Sequence, residues 1–438
     1  MELGINFWLE LLVLLACLFY AAPKGGMTLG LMGGIGLVIF IFGFGLKPGK
    51  PPVAVILTIM AVVCAGASLQ AAGGLDYMVK VAEKILRSNP QYVTILAPLV
   101  TYAFTFLAGT GHVAYSVLPV IAEVANETKI RPERPLGIAV IASQQAITAS
   151  PISAATVALL GLLAGFDITL FDILKISIPA TLVGVLVGAF FSMRVGKNLV
   201  DDPEYQRRLQ AGELDTKHVE LKGAENKFKA CASVALFIGA TLLIVLFGSI
   251  PSLRPSFDGV QVGMPLIIEM LMLSTAAVIL VVTRTNGLKA AQGSVFSAGM
   301  QAVVAIFGIA WMGDTFISGN IVELKGAIEG VVTEMPWLFG IALFVMSILL
   351  YSQAATVRAI VPLGVALSIS PMMLIALFPA VNGYFFIPNY PTLVAAINFD
   401  RTGTTGIGKW VLNHSFMMPG LVATAVAIGT GLLLIQIY

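Results

Sequence analysis

Gly109-Thr110-Gly111-His112 in the first half of the chain and Ser352-Gln353-Ala354-Ala355-Thr356 in the second are short polar tips set inside apolar runs. Placing Gly109 on Ser352 places Pro119 on Pro362 without a gap. A second interruption follows each tip: Ser150-Pro151-Ile152-Ser153 in the first half, Pro388-Asn389-Tyr390-Pro391-Thr392 in the second. Backbone groups left unpaired in hydrocarbon are costly, so irregular backbone survives at membrane depth only where protein buries it or a polar cavity wets it. Interrupted segments at matching positions of two halves point to a substrate site between repeats. On this feature the chain reads as a transporter.

Composition agrees. Of 438 residues, 58% are hydrophobic and 11% charged, against about 25% charged in ordinary soluble domains. That much apolar surface calls for a bilayer. The 25 basic and 23 acidic residues nearly cancel and form no concentrated basic face, which argues against a nucleic-acid partner. Cys17, Cys64 and Cys231 sit in or beside apolar segments without paired or metal-like spacing and read as small apolar fillers. Met1 to Tyr20 carries Glu2 and Glu10 and no basic start, so a retained helix is expected rather than a cleaved signal.

A helix needs about 20 apolar residues to span a bilayer. Spans are predicted over 5–22, 27–46, 52–71, 135–164 and 172–194, then over 229–250, 263–283, 294–312, 371–398 and 415–437. Residues 74–88 read as an amphipathic helix at the interface, and 315–334 occupies the corresponding place. The arms of 92–125 and 336–369 are short for two full crossings each and read as re-entrant hairpins. The expected fold is an all-α polytopic membrane protein of two repeats, 1–195 and 229–438, each with about five transmembrane helices and one hairpin. An odd number of spans per repeat inverts the second against the first. With the N-terminus outside, most lysines and arginines fall inside, including Lys80, Lys84, Arg87, Arg131, Arg134 and Arg194. Lys47, Lys50, Lys175, Arg254 and Lys325 are left outside, with Arg358 in a hairpin. Both termini are then periplasmic, and the charged linker 196–228 is cytoplasmic.

Candidate substrate contacts follow from the tips. Ser150 before Pro151, and Asn389 or Tyr390 before Pro391 and Thr392, fit a helix N-cap followed by proline in the first turn. The second hairpin arms are expected to start near Thr110 and Gln353. Four such ends, with free N–H groups and partial positive charge, could hold two carboxylates. Gly109, Gly111, Ser352 and Ala354 would let backbone approach closely. Arg358 fits either a carboxylate fork or an arm residue snorkelling outward. His112 fits a substrate or proton contact as well as a structural hydrogen bond. Gln144 fits a substrate contact or helix packing. Asp76 and Asp314 read as helix caps or interface residues.

Other classes fare worse. Gly403 to Lys409 has phosphate-loop spacing, but Trp410 stands where Ser or Thr is required and no strand precedes it. Asn126-Glu127-Thr128 spells a glycosylation sequon on a predicted cytoplasmic flank. An enzyme is disfavoured: His112, His218 and His414 have no metal spacing, and there is no nucleophile motif. No cofactor or metal is expected. A channel suits the paired tips less well than an occluding carrier. Coupling of the same architecture to sodium or protons remains the alternative.

Gly73-Gly74-Leu75-Asp76-Tyr77, the first tip, Ala146-Ile147-Thr148-Ala149-Ser150-Pro151, Ser352-Gln353-Ala354-Ala355, Tyr390-Pro391-Thr392 and Gly403-Thr404-Thr405 stand in order along the chain. Together they resemble the Dcu family of anaerobic four-carbon dicarboxylate transporters over nearly the whole length. The resemblance implies exchange of fumarate, malate or aspartate for succinate across a bacterial inner membrane in anaerobic respiration. It also implies kinship with ion transporters built from inverted repeats that move as elevators. Family patterns allow Asn at position 112, and Lys or a small apolar residue at 358, which shifts weight from those side chains to helix ends and neutral polar groups. Small dicarboxylates and lipid are the expected partners, and a homodimer is left open.

Overall fold

A computed structural model describes residues 4–21, 26–214, 226–323, 334–350, 352–388, 390–410 and 412–437. In the first half, α1 (Ile5–Ala21), α2 (Gly26–Val38, extended by a π turn at Ile39–Gly43) and α3 (Val53–Ala71) lead into α4 (Gly74–Ser88). Then come α5 (Val93–Ala108), α6 (Ala114–Glu127), α7 (Glu133–Ala149), α8 (Ala154–Leu163), α9 (Leu170–Ser192) and the linker helix α10 (Pro203–Gln210). The second half holds α11 (Lys227–Ser249), α12 (Met264–Thr283), α13 (Gly287–Ala291) and α14 (Ser294–Gly319). It continues with α15 (Phe339–Leu350), α16 (Gln353–Ala366), α17 (Pro371–Ala376), a 3-10 segment Phe378–Phe385, α18 (Pro391–Phe399) and α19 (Met417–Leu434). Between α11 and α12 a small hairpin pairs Ser256 with Gln261 and Phe257 with Val260. Asp258 and Gly259 turn it with φ of 52° and 79°, the left-handed pair that matches the twist of a tight hairpin.

Among the described residues eight helices are long and apolar enough to cross a membrane. Glu133–Leu163, counted as one, runs through the first break, and α5 with its leading 3-10 turn also reaches crossing length. Helices α1 and α2 are shorter. The segment 371–398 differs from expectation: α17 ends after six residues because Pro379 and Gly383 favour a tight 3-10 course, and only at Pro391 does an α-helix resume. Residues 315–319 also depart from the interfacial reading. They belong to α14, because Gly313 sits within a helix whose neighbours pack on both sides and does not end it. Asp314 is therefore inside α14 and caps nothing there; its Oδ2 accepts from the Lys50 N–H at 2.7 Å. Residues 324–333 of the same stretch lie outside the described residues. Asp76, by contrast, sits in the first turn of α4 after the left-handed Gly73, as read.

Two groups of helices emerge from the packing. In one, α2 packs on α14, α12 on α3, α3 on α14, α1 on α2 and α11 on α12. In the other, α5 packs on α7, α15 on the 3-10 segment, α8 on α16, α6 on α18 and α9 on α19. Small residues set the closest approach. A Cβ on Gly30 would stand 1.9 Å from the Val304 carbonyl oxygen, and one on Gly308 1.8 Å from that of Gly30, so α2 and α14 touch backbone to backbone. Contacts between the groups are fewer in kind, chiefly α14 with α16, α4 with α5 and α6, and α8 with α3 and α12.

Candidate functional site

The second group of helices encloses a cluster of buried amides. Helix α7 reads Ser143-Gln144-Gln145 near its C-terminal end, and all three side chains are buried. The first tip closes over them. Gly109 ends α5 in the left-handed region (φ 69°), and a Cβ there would meet Ile152 of the first break at 2.8 Å. Gly111 opens a 3-10 turn, and a Cβ on it would stand 2.4 Å from Gln144 Nε2. The second arm thus begins at Ala114, not near Thr110, because the tip first turns through Gly111–Val113. Thr110 lies half-buried at this tip. Beneath it Thr105 and Ser143 share a hydrogen bond of 2.7 Å.

The second tip arrives from the other half. Ser352 is the N-cap of α16, its Oγ accepting from the Ala355 N–H at 3.3 Å, so this arm does start at Gln353. Gln353 Nε2 donates to Gln144 Oε1 at 2.8 Å and to Asn382 Oδ1 at 3.2 Å. Asn382 Nδ2 donates in turn to Gln145 Oε1 at 3.2 Å, and Gln145 Nε2 to Thr424 Oγ1 of α19 at 2.9 Å. Gln144, Gln145, Gln353 and Asn382 are all at least nine-tenths buried. Gln144 Nε2 has no hydrogen-bond partner, and a buried donor left open costs about 1–3 kcal/mol. An acceptor on a ligand would remove that cost.

The N-cap assignment at the first break is corrected. Ser150 ends α7 with extended backbone (ψ 129°), and its Oγ donates to the Phe106 carbonyl of α5 at 2.7 Å. Pro151 and Ile152 then form a turn closed by Ser153 N–H on the Ser150 carbonyl, so the helix restarts three residues later. Ser153 is its cap, accepting from Thr156 N–H at 3.2 Å. At the second break Tyr390 stands at the N-cap with Pro391 in the first turn, as read, though without a side-chain cap. Its ring lies 4.7 Å from that of Tyr384. Tyr384 Oη and Thr392 Oγ1 are both buried and unpartnered. Asn389 and the His112 side chain lie outside the described residues.

Gly111, Gln144 and Gln353 are thus brought together, with Gly109, Ser150, Pro151, Ser352 and Ala354 in the backbone around them. Arg358 is five residues further along α16, its Nε buried without a partner, within electrostatic reach of Asp314 on α14. Sequence reasoning missed Gln145, Asn382, Tyr384 and Thr424. Asn382 was visible as a lone amide in the apolar run Ala380 to Phe386, and Gln145 as the twin of Gln144. Among the described residues no group of His, Cys, Asp and Glu has metal-binding geometry.

Comparisons with known proteins agree with one another. A family model described as an anaerobic C4-dicarboxylate membrane transporter matches residues 6–438. The chain is 45% identical over 442 residues to the anaerobic C4-dicarboxylate transporter DcuB of Escherichia coli O6:H1, covering 99% of both chains. It is 43% identical to the C4-dicarboxylate transporter DcuA of Wolinella succinogenes, covering 98% of this chain and 99% of that one. Among solved structures it is similar in fold to the YdaH transporter of Alcanivorax borkumensis, with a TM-score of 0.58 and 15% identity over 92% of this chain and 86% of that chain.

Proposed function

The chain belongs to the anaerobic C4-dicarboxylate membrane transporter family, and from that premise we propose that it exchanges four-carbon dicarboxylates across the bacterial inner membrane. Fumarate, malate or aspartate would move against succinate by alternating access. The observation that carries this reading is the meeting of both tips on Gln144, a buried amide with an open N–H₂. A dianion there would accept from neutral donors: Gln144, the free N–H groups at the start of α16, and the hydroxyls of Tyr384 and Thr392. Such donors stabilise carboxylates without the desolvation penalty of several buried cations.

The architecture proposed is two inverted repeats, 1–195 and 229–438, joined by a cytoplasmic linker, and the symmetry of the packing is in keeping with a repeat. Exchanging α2 with α12 and α3 with α14 turns one cross-half pair, α2 on α14, into the other, α12 on α3. Exchanging α8 with α18 and α6 with α16 likewise turns α8 on α16 into α18 on α6. In an elevator cycle the group holding both tips would slide against the group holding α2, α3, α12 and α14. An unloaded site with open buried donors is costly to carry across, whereas a bound dicarboxylate satisfies them. Return therefore requires a second substrate, and transport is obligatory exchange.

The test is counterflow in proteoliposomes. Vesicles loaded with succinate take up labelled fumarate or aspartate rapidly, and empty vesicles do not. Equal rates into loaded and empty vesicles would overturn exchange, and a dependence on a sodium or proton gradient would favour coupled symport instead.

A further inference from the structure

The amides around Gln144 form a directed chain. A carboxamide has a donor end and an acceptor end, and its partners decide which way it points. The first link is a backbone group that can only accept: the Pro379 carbonyl takes a hydrogen bond from Asn382 Nδ2 at 3.1 Å. The second hydrogen of Nδ2 goes to Gln145 Oε1 at 3.2 Å, and Gln145 is held from the α19 side by Thr424. Asn382 must then turn Oδ1 toward the second tip, where it accepts from Gln353 Nε2. Gln353 Nε2 gives its other hydrogen to Gln144 Oε1 at 2.8 Å. With its oxygen taken, Gln144 presents N–H₂ toward Gly111, where that group is buried and without an acceptor.

Reversing Asn382 would propagate. Its N–H₂ would face Gln353, Gln353 would answer with its oxygen, and Gln144 would donate to that oxygen and leave Oε1 facing the ligand. An oxygen facing a carboxylate repels it.

We propose that Asn382 is a positioning residue that sets the polarity of the substrate site, holding Gln144 through Gln353 as a donor so that this subsite favours the charged oxygen of a carboxylate over the weaker, neutral acceptor of an amide. The inference rests on the reading of Gln144 as a substrate contact. Its chemistry is separable from packing, because a packing defect weakens all ligands alike whereas a lost polarity changes the preference between two ligands of nearly the same shape.

The experiment is titration of the purified full-length protein in lipid nanodiscs with succinate and with its monoamide, succinamate. The wild type favours succinate. Asn382→Leu and Gln353→Met, both neutral and close in size, are expected each to lower the succinate-to-succinamate affinity ratio by about tenfold, the scale of one hydrogen bond to a charged group. Gln144→Met lowers it equally, and adding Asn382→Leu to Gln144→Met changes the ratio no further, since the two act through one contact. If Asn382→Leu and Gln353→Met leave the ratio at its wild-type value while Gln144→Met lowers it, the orientation relay is wrong and the substrate site stands. If Gln144→Met binds succinate as tightly as wild type, the site reading fails, and the relay with it. Should Asn382→Leu fail to fold, an unchanged ratio in Gln353→Met still overturns the relay.

Discussion

Gly111 and Arg358 separate two ways in which a dianion would be held, by neutral donors at a tip or by a guanidinium. Gly111 has no side chain because the Gln144 amide occupies that space, 2.4 Å from where a Cβ would stand. Gly111→Leu is therefore expected to abolish dicarboxylate uptake into proteoliposomes while the protein still inserts and purifies normally. Arg358→Ala is expected to reduce uptake by about tenfold or less, because helix ends and neutral donors share the charge. Uptake lost in Arg358→Ala and kept in Gly111→Leu would place the anion on the guanidinium instead. Ser150 acts through a different contact from the cap expected of it. It clips the end of α7 to the Phe106 carbonyl, so its contribution is to the fit of break against tip.

Helix α10 shows how a charged connection becomes structure. Asp202 caps it, accepting from the backbone of Glu204 and Tyr205, and also pairs with Arg131, which bridges to Glu133 at the start of α7. Tyr205 is buried and accepts from Lys129, and Arg208 donates to the Arg401 carbonyl, so α10 is tied to the loops that flank α7 and α18. Burial works to raise the Asp202 carboxyl, but the hydrogen bond from Arg131 and those from the backbone outweigh it and hold the group below the usual aspartate range. A carboxyl depressed in the folded state contributes stability that is fully present above its unfolded value, about 3.9, and is lost as pH falls through the folded value. Docking of α10 should then be constant from pH 8 to 5 and weaken only under stronger acid. Asp202→Asn should loosen it already at pH 7. Hydrogen exchange at residues 203–210 reads both, and equal protection in wild type and in Asp202→Asn, which keeps a capping oxygen and loses the charge, would show that the ion pair with Arg131 does not hold the helix.

The orientation of the whole molecule is expected to put both ends of the chain outside and the linker inside. Basic residues gather on the linker side, among them Arg131, Arg134, Arg194 and Arg208, and this is the asymmetry that sets topology. Reporter fusions after Tyr438 and within 205–214 should give periplasmic and cytoplasmic signals respectively. A cytoplasmic signal from the C-terminal fusion would mean that the halves are not inverted, and the exchange of α2 with α12 in the packing would need another origin.

Membrane residence, the polar tips and the paired breaks were all legible in the residues, because hydrocarbon imposes a one-dimensional rule: apolar runs cross, and proline, glycine and polar residues mark where the backbone stops doing so. The start of α16 at Ser352 is equally local. The extent of α14 past Gly313, the cap at Ser153 in place of Ser150, and the 3-10 course through Asn382 were not. Each depends on which of several competent partners lies nearby, and that is a matter of packing between segments far apart in the chain. The site shows the same division. Gln144 and Gln353 could be picked out as polar groups in apolar surroundings, but they are 209 positions apart, and which end of each amide donates to the other follows from Pro379, Asn382 and Gln145. Hydrogen-bond direction is a property of the assembled network, so it exists only once both halves of the chain have come together.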